Sequence, residues 1–113
     1  MAVIPAKKDF TVQRRADFPL RLTFKDSTGS AMDLTGFTVA SQVYDESRST
    51  LYGSFTVTYT NRTGGIVDIN LTDTVTATFT PNVLKYDVLL TDGSGNKEYY
   101  LEGTLFVSEG YTA

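Results

Sequence analysis

The chain has 113 residues, 41% hydrophobic, 20% charged and 12% aromatic, which is one domain's worth and enough for a single core. Cysteine and histidine are both absent; that excludes disulfides, thiolate metal sites, cysteine nucleophiles and every catalytic triad built on an imidazole. A formal net charge of −3 argues against a nucleic-acid binder, and no apolar run approaches the roughly 18 residues of a membrane helix.

The opening, Met1–Lys8, lacks the order of charged and apolar segments of a secretory signal, so the chain is expected to be made and kept in a cytoplasm. With Pro5 and two lysines, residues 1–8 read as an N-terminal arm, and residues 9–113 as a single domain. From there side chains alternate with period two. Phe10 and Val12 mark a first strand; Phe18, Leu20, Leu22 and Phe24 a second; Phe37, Val39, Ser41 and Val43 a third. Phe55, Val57 and Tyr59 alternate with threonines in a fourth, and Val67, Ile69 and Leu71 with Asp68 and Asn70 in a fifth. Thr72–Phe79 breaks the rhythm: a capping threonine, an acidic first turn and a stop before Pro81 predict a short helix. Tyr86, Val88 and Leu90, then Leu101, Leu105 and Val107, mark the last two strands.

Turn residues fall between these runs. Asp26–Gly29 closes the second strand, Asn61–Gly65 joins the fourth to the fifth, and Asp92–Asn96 joins the sixth to the seventh, with glycines free to take positive φ. About seven short antiparallel strands, each with one apolar face, predict an all-β, two-layer sandwich. With neither tryptophan nor cysteine to pin the core, the fold is immunoglobulin-like in topology.

Chemistry is sparse. Asp92–Glu98 places oxygen ligands at alternate positions, as a calcium loop does, but Lys97 and Gly103 stand where the turn glycine and the bidentate glutamate belong. Asp45 with Glu46, and the isolated Asp68, Asp87 and Glu102, read as solvated charge on a half-exposed sheet rather than as acid–base pairs. The sequons at Asn61 and Asn70 are what threonine-rich strands produce by chance. No catalytic residue, metal or cofactor is expected.

Charge and aromatics point instead to contact. Residues 1–25 carry six basic and two acidic side chains, against four and eleven in the rest, so a basic end faces an acidic body. Lys7, Lys8, Arg14 and Arg15 are therefore candidate partner-binding residues. Tyr99, Tyr100 and Phe106 join them, because Tyr100 and Phe106 alternate with the apolar set of the last strand and form an outward stripe unless that strand bulges at Gly103.

Several phrases resemble a known family. Ala16–Asp26 followed by Met32–Phe37, then Gly65–Thr72 before a short helix, Tyr86–Gly93 and Leu101–Val107, are similar to small β-sandwich structural proteins of tailed bacteriophages, and in particular to the N-terminal domain of the phage baseplate upper protein family. The resemblance spans roughly residues 10–108. The family's acidic pair before the Phe-Pro-Leu phrase is reduced here to Asp17 behind Ala16, and its Pro-Gly turn is replaced by Pro81–Lys85. The resemblance implies a stand-alone virion component of the tail, baseplate or fibre-attachment region. It would be made in the bacterial host cytoplasm, bind other phage structural proteins or copies of itself, and touch neither nucleic acid nor membrane. A carbohydrate-binding module for host surface glycans, using Tyr99 and Tyr100, and a capsid decoration protein are the alternatives.

Overall fold

Residues 6–26 and 28–109 are described by the computed structural model. The elements run β1 (Ala6–Lys7), β2 (Phe10–Gln13), β3 (Phe18–Thr23), β4 (Thr38–Tyr44), β5 (Leu51–Ser54), β6 (Thr56–Asn61), β7 (Ile66–Leu71), α1 (Asp73–Thr76), β8 (Val83–Thr91) and β9 (Lys97–Ser108). One sheet has the order β1-β9-β8-β4-β5, with β2 also laid along β9; the other has the order β3-β7-β6. The two stack as a sandwich, as the alternation predicts.

Between them lies one core. Val39 and Val43 of β4, Leu84, Tyr86, Val88 and Leu90 of β8, and Leu101 and Leu105 of β9 meet Leu22, Val67, Ile69 and Leu71 of the smaller sheet. At one end four rings close a circuit across the layers: Phe10 lies 5.8 Å from both Phe18 and Tyr86, and Phe55 lies 6.3 Å from Phe18 and 6.4 Å from Tyr86. Tilted and edge-on aromatic packing of this kind takes the place of a tryptophan pin. The β6–β7 hairpin turns at Gly65, whose φ is +72°; a Cβ there would lie 2.6 Å from the Phe24 carbonyl oxygen.

The helix is the single turn expected. Thr72 caps it by accepting from the Val75 N–H at 3.4 Å, and Thr76 is buried within it. The Thr76 hydroxyl donates to the Ala16 carbonyl at 2.8 Å and accepts from the Ala16 N–H at 3.1 Å. It thus ties the turn between β2 and β3 to the crossover and satisfies its own buried polar group.

Three expectations need correction. First, the sandwich is not wholly antiparallel: β1 and β2 both run parallel to β9. Second, residues 6–8 are not an arm. Ala6 and Lys7 pair with Leu101 and Glu102, the Lys8 N–H donates to the Glu102 carbonyl at 2.9 Å, and the Lys8 carbonyl accepts from the Tyr86 hydroxyl at 2.6 Å. Main-chain pairing is indifferent to a lysine side chain that points to water, and lysine is a common edge residue. Residues 1–5 of the expected arm lie outside the described residues. Third, β5 was not expected; four residues containing Gly53 give no readable alternation.

Gly103 explains how the first two strands share one neighbour. At the break between β1 and β2 the chain presses onto β9, and a Cβ on Gly103 would sit 1.8 Å from the Lys8 carbonyl oxygen. Asp9 completes the interrupted ladder, its carboxylate accepting the Thr104 N–H at 2.9 Å.

Candidate functional site

Strand alternation assigns the outward side chains. On the smaller sheet Pro19, Arg21 and Thr23 pair with Asn70, Asp68 and Ile66, and Thr56 and Thr58 flank them. This face satisfies itself. Arg21 forks onto Asp68 at 2.9 and 3.1 Å, and the Thr60 hydroxyl donates to the same carboxylate. The Arg21 bonds first, then Thr60, hold the Asp68 carboxyl down at about 2, as hydrogen bonds to the charged form do.

The outer face of the larger sheet is built differently. Its rows are Ala40, Gln42 and Tyr44 of β4; Val83, Lys85, Asp87 and Leu89 of β8; and Tyr99, Glu102, Thr104 and Phe106 of β9. Leu51 of β5 sits opposite Tyr44. Among the described residues the large hydrophobics that stand exposed are Leu51, Tyr99 and Phe106, at 48, 45 and 47%. All three are on this one face, an arrangement that marks contact surfaces.

Two adjoining hollows of about 520 and 250 Å³ open on the same face and share Gln42, Tyr44, Arg48 and Asp87. Lys7 and Glu102 line the larger, Leu89 and Tyr99 the smaller. Arg48 reaches them from the β4–β5 turn, where its φ is +62°. The Asp45 carboxylate shapes that turn by accepting the Ser49 and Thr50 N–H groups at 2.8 and 3.2 Å. At the centre Asp87 pairs across strands with Glu102. Desolvation pushes the Asp87 carboxyl up; the Arg48 charge opposes that and the Glu102 charge adds to it. In the hollow, then, is a carboxylate in a place that disfavours its charge, beside a second carboxylate and two tyrosines.

The sequence-based candidates divide. Phe106 is where expected, whereas Tyr99 faces outward although alternation with Leu101 and Leu105 puts it on the core side. Tyr100 is the reverse: it turns inward, its ring centroid 4.4 Å from that of Phe24, and its hydroxyl accepts the Lys25 N–H at 3.2 Å. The cause is a bulge, since Val88 pairs with Leu101 and Leu89 with Tyr99, which leaves Tyr100 as an extra residue on the core side. The bulge lies at Tyr100, not at Gly103. Lys7 reaches the larger hollow, and the Lys8 ammonium stands 5.9 Å over the Phe10 ring.

Arg14 is occupied within the fold: it donates to the Phe79 carbonyl at 2.7 Å and pairs with Glu109, binding the end of β2 to the crossover and to the chain beyond β9. Arg15 sits in the following turn with φ +68°. No sequence pattern groups Asp87, Glu102, Tyr44, Arg48 and Leu51. Outward alternation of Asp87 and Glu102 was readable; their meeting across β8 and β9 under Arg48 depends on strand order.

In the Asp92 loop the carboxylate accepts the Ser94 and Asn96 N–H groups, each at 2.9 Å. No cluster of three metal-ligating side chains occurs among the described residues, and none of their helices is long and apolar enough to cross a membrane.

The fold is an immunoglobulin-like β-sandwich. It is similar to the filamin domain of Lin-41, with a TM-score of 0.50 and 16% identity over 88% of this chain and 84% of that one. At that identity the likeness is one of fold alone. No family model and no curated protein matches the sequence.

Proposed function

We propose that the chain is a non-enzymatic structural module of a bacteriophage virion, in the tail, baseplate or fibre-attachment region, that joins neighbouring subunits through the outer face of its larger sheet. The observation that carries the contact reading is the gathering of Leu51, Tyr99 and Phe106 on that face. Burying aromatic and aliphatic anchors beside polar groups is how protein interfaces gain their energy. The virion setting rests on the resemblance of the phrases Ala16–Asp26, Gly65–Thr72 and Leu101–Val107 to those of phage β-sandwich proteins.

The test is incorporation. Particles grown in a host expressing the wild-type chain should carry it by mass spectrometry, and a Leu51→Ser, Tyr99→Ser, Phe106→Ser triple variant should be lost from them while folding normally. Equal incorporation of the variant overturns the reading.

One observation favours a second reading. Tyr44 and Tyr99 flank the smaller hollow with Gln42, Arg48 and Asp87, and a ring beside planar hydrogen-bonding groups suits a sugar. Binding of the isolated chain to host glycans on an array, lost in Tyr99→Ala and Asp87→Ala, would replace the subunit-contact reading with that of a glycan-binding module.

A further inference from the structure

Among the described residues each sheet of the sandwich ends in two edges, and three of the four are blunted. β5 is four residues long and contains Gly53. The β1–β2 edge is interrupted at Lys8 and Asp9 and carries Lys7. β3 has Pro19, which lacks an N–H, and Arg21. Short length, lysine, proline and breaks are the usual devices that keep edges from pairing.

β6 lacks the charge, the proline and the short length, and its irregularity is confined to the register shift between Thr58 and Asn61. Thr56-Val-Thr-Tyr-Thr-Asn61 contains no charge, no proline and no glycine. Its register with β7 shifts only past Thr58, and its side chains alternate from Thr56 to Thr60, where the Thr60 hydroxyl still reaches the outward Asp68. The Phe24 N–H bonds to the Gly65 carbonyl, which fixes the phase of β7: its odd-numbered residues bond β3 and its even-numbered ones bond β6. Thr56 and Thr58 pair with Asn70 and Asp68, so the N–H and C=O groups of Val57 and Tyr59 turn to the open side. Val57 and Tyr59 pack against the core yet stay half-buried.

We propose that β6 is a self-association edge, at which two copies pair antiparallel about Thr58 and join their three-stranded sheets into one continuous sheet. The strand is self-complementary about that residue. Thr58 meets its counterpart, Val57 meets Tyr59, and Thr56 meets Thr60; aromatic–β-branched and threonine–threonine pairs are favoured across strands. Val57 and Tyr59 of each copy exchange main-chain hydrogen bonds, and the exposed parts of their side chains are buried. No like charges are brought together. The two copies of Arg62, which stacks 3.8 Å over the Tyr59 ring, end up roughly 27 Å apart at about 3.4 Å per residue, beyond the Debye length of about 8 Å. Asp68 is already neutralised by Arg21. This edge is separate from the outer face of the larger sheet, so either surface could fail without the other.

Single-cysteine variants test the register cleanly, because the chain has no cysteine. Thr58 and its counterpart form a pair without main-chain bonds, with Cα atoms about 4.5 Å apart, within disulfide range. Sedimentation equilibrium of the wild-type chain should show a mass that rises with concentration toward twice that of one chain. Thr58→Lys should hold the mass at one chain with an unchanged melting temperature, and Phe106→Ser should dimerise as the wild type does. Thr58→Cys should oxidise to a linked dimer, while Thr56→Cys and Thr60→Cys should link when mixed and not alone.

A wild-type chain that stays monomeric up to millimolar concentration overturns the proposal. So does a dimer that survives Thr58→Lys, and one that Phe106→Ser abolishes moves the contact to the other sheet. Loss of the dimer in Thr58→Lys without linkage of Thr58→Cys overturns the two-fold register.

Discussion

Asp68 and Asp87 hold matching places on the two outer faces, each on an interior strand with its side chain turned outward, and they are treated in opposite ways. Asp68 is gripped by Arg21 and Thr60 and stays charged down to about 2. Asp87 is desolvated among tyrosines, faces Glu102, and has its carboxyl pushed up. Around the first the surface is threonine, asparagine and a closed ion pair. On the face of the second stand Leu51, Tyr99 and Phe106, each about half exposed. One face has settled its polar groups internally. The other pairs Lys85 with Thr104 and Tyr44 with Gln42 but leaves the Asp87 carboxylate desolvated, and residues kept for a partner are those least matched to their own fold.

The sharpest way to break this contrast is to remove the support of the larger sheet. Gly103→Ala places a Cβ 1.8 Å from the Lys8 carbonyl oxygen, so β1 must leave β9 or the backbone must shift. Overpacking against main chain should cost about 3 kcal/mol, a fall in melting temperature on the order of 10–15 °C for a domain of this size. An unchanged melting temperature in a thermal denaturation scan would mean that β1 contributes nothing to the larger sheet. Tyr86→Phe tests the same attachment more gently. It strips the Lys8 carbonyl of its 2.6 Å bond and should cost about 1 kcal/mol.

The exposed anchors should behave in the reverse manner. Tyr99→Ser and Phe106→Ser each alter a surface position, so stability should move by no more than about 0.5 kcal/mol. Affinity for the docked subunit should fall by about 2 kcal/mol or more if either is a central anchor. Thr23→Ser, on the smaller sheet, should change neither. Calorimetric titration against the purified partner subunit, with thermal scans alongside, reads both quantities. Equal losses from both faces would erase the distinction between them.

Most of the sandwich was legible because period-two alternation acts locally: a strand that buries one face must write it into every second residue. Seven of the nine strands among the described residues follow from that, and the Thr72-capped turn follows from its break in the alternation. The parallel placement of β1 and β2 along β9 was hidden, since it joins residues about 95 positions apart by main-chain bonds that no side-chain pattern encodes. Tyr100 shows the same limit on a smaller scale. Alternation counts residues, and one bulged residue inverts every side assignment before it. Of the contact face, Phe106 was visible as an apolar residue out of phase with the core, whereas Tyr99, in phase with Leu101 and Leu105, turns outward only through the bulge at Tyr100. The hollow around Asp87 was not visible, because Tyr44, Arg48, Asp87 and Glu102 converge only once β4, β8 and β9 lie side by side.

The smallest effects come from titration, and they should have opposite signs. Asp68 has a folded pKa of about 2, below its ordinary 3.8, so its pairing stabilises the fold above pH 3.8 and is lost as pH falls toward 2. Asp68→Asn should flatten the acid limb of the stability curve in that window and lower stability at pH 7. Asp87 has a raised carboxyl, so the folded chain holds its proton more tightly than the unfolded chain does. Its burial is tolerated best below the ordinary carboxylate pKa, and the cost appears as pH rises through the folded value. Asp87→Asn should therefore raise stability at pH 7 and leave it unchanged in strong acid. Melting temperatures of both variants between pH 2 and 7 check the pair. If Asp87→Asn lowers stability at pH 7, the carboxylate has a hidden stabilising role within the fold, and the larger sheet is as self-contained as the smaller.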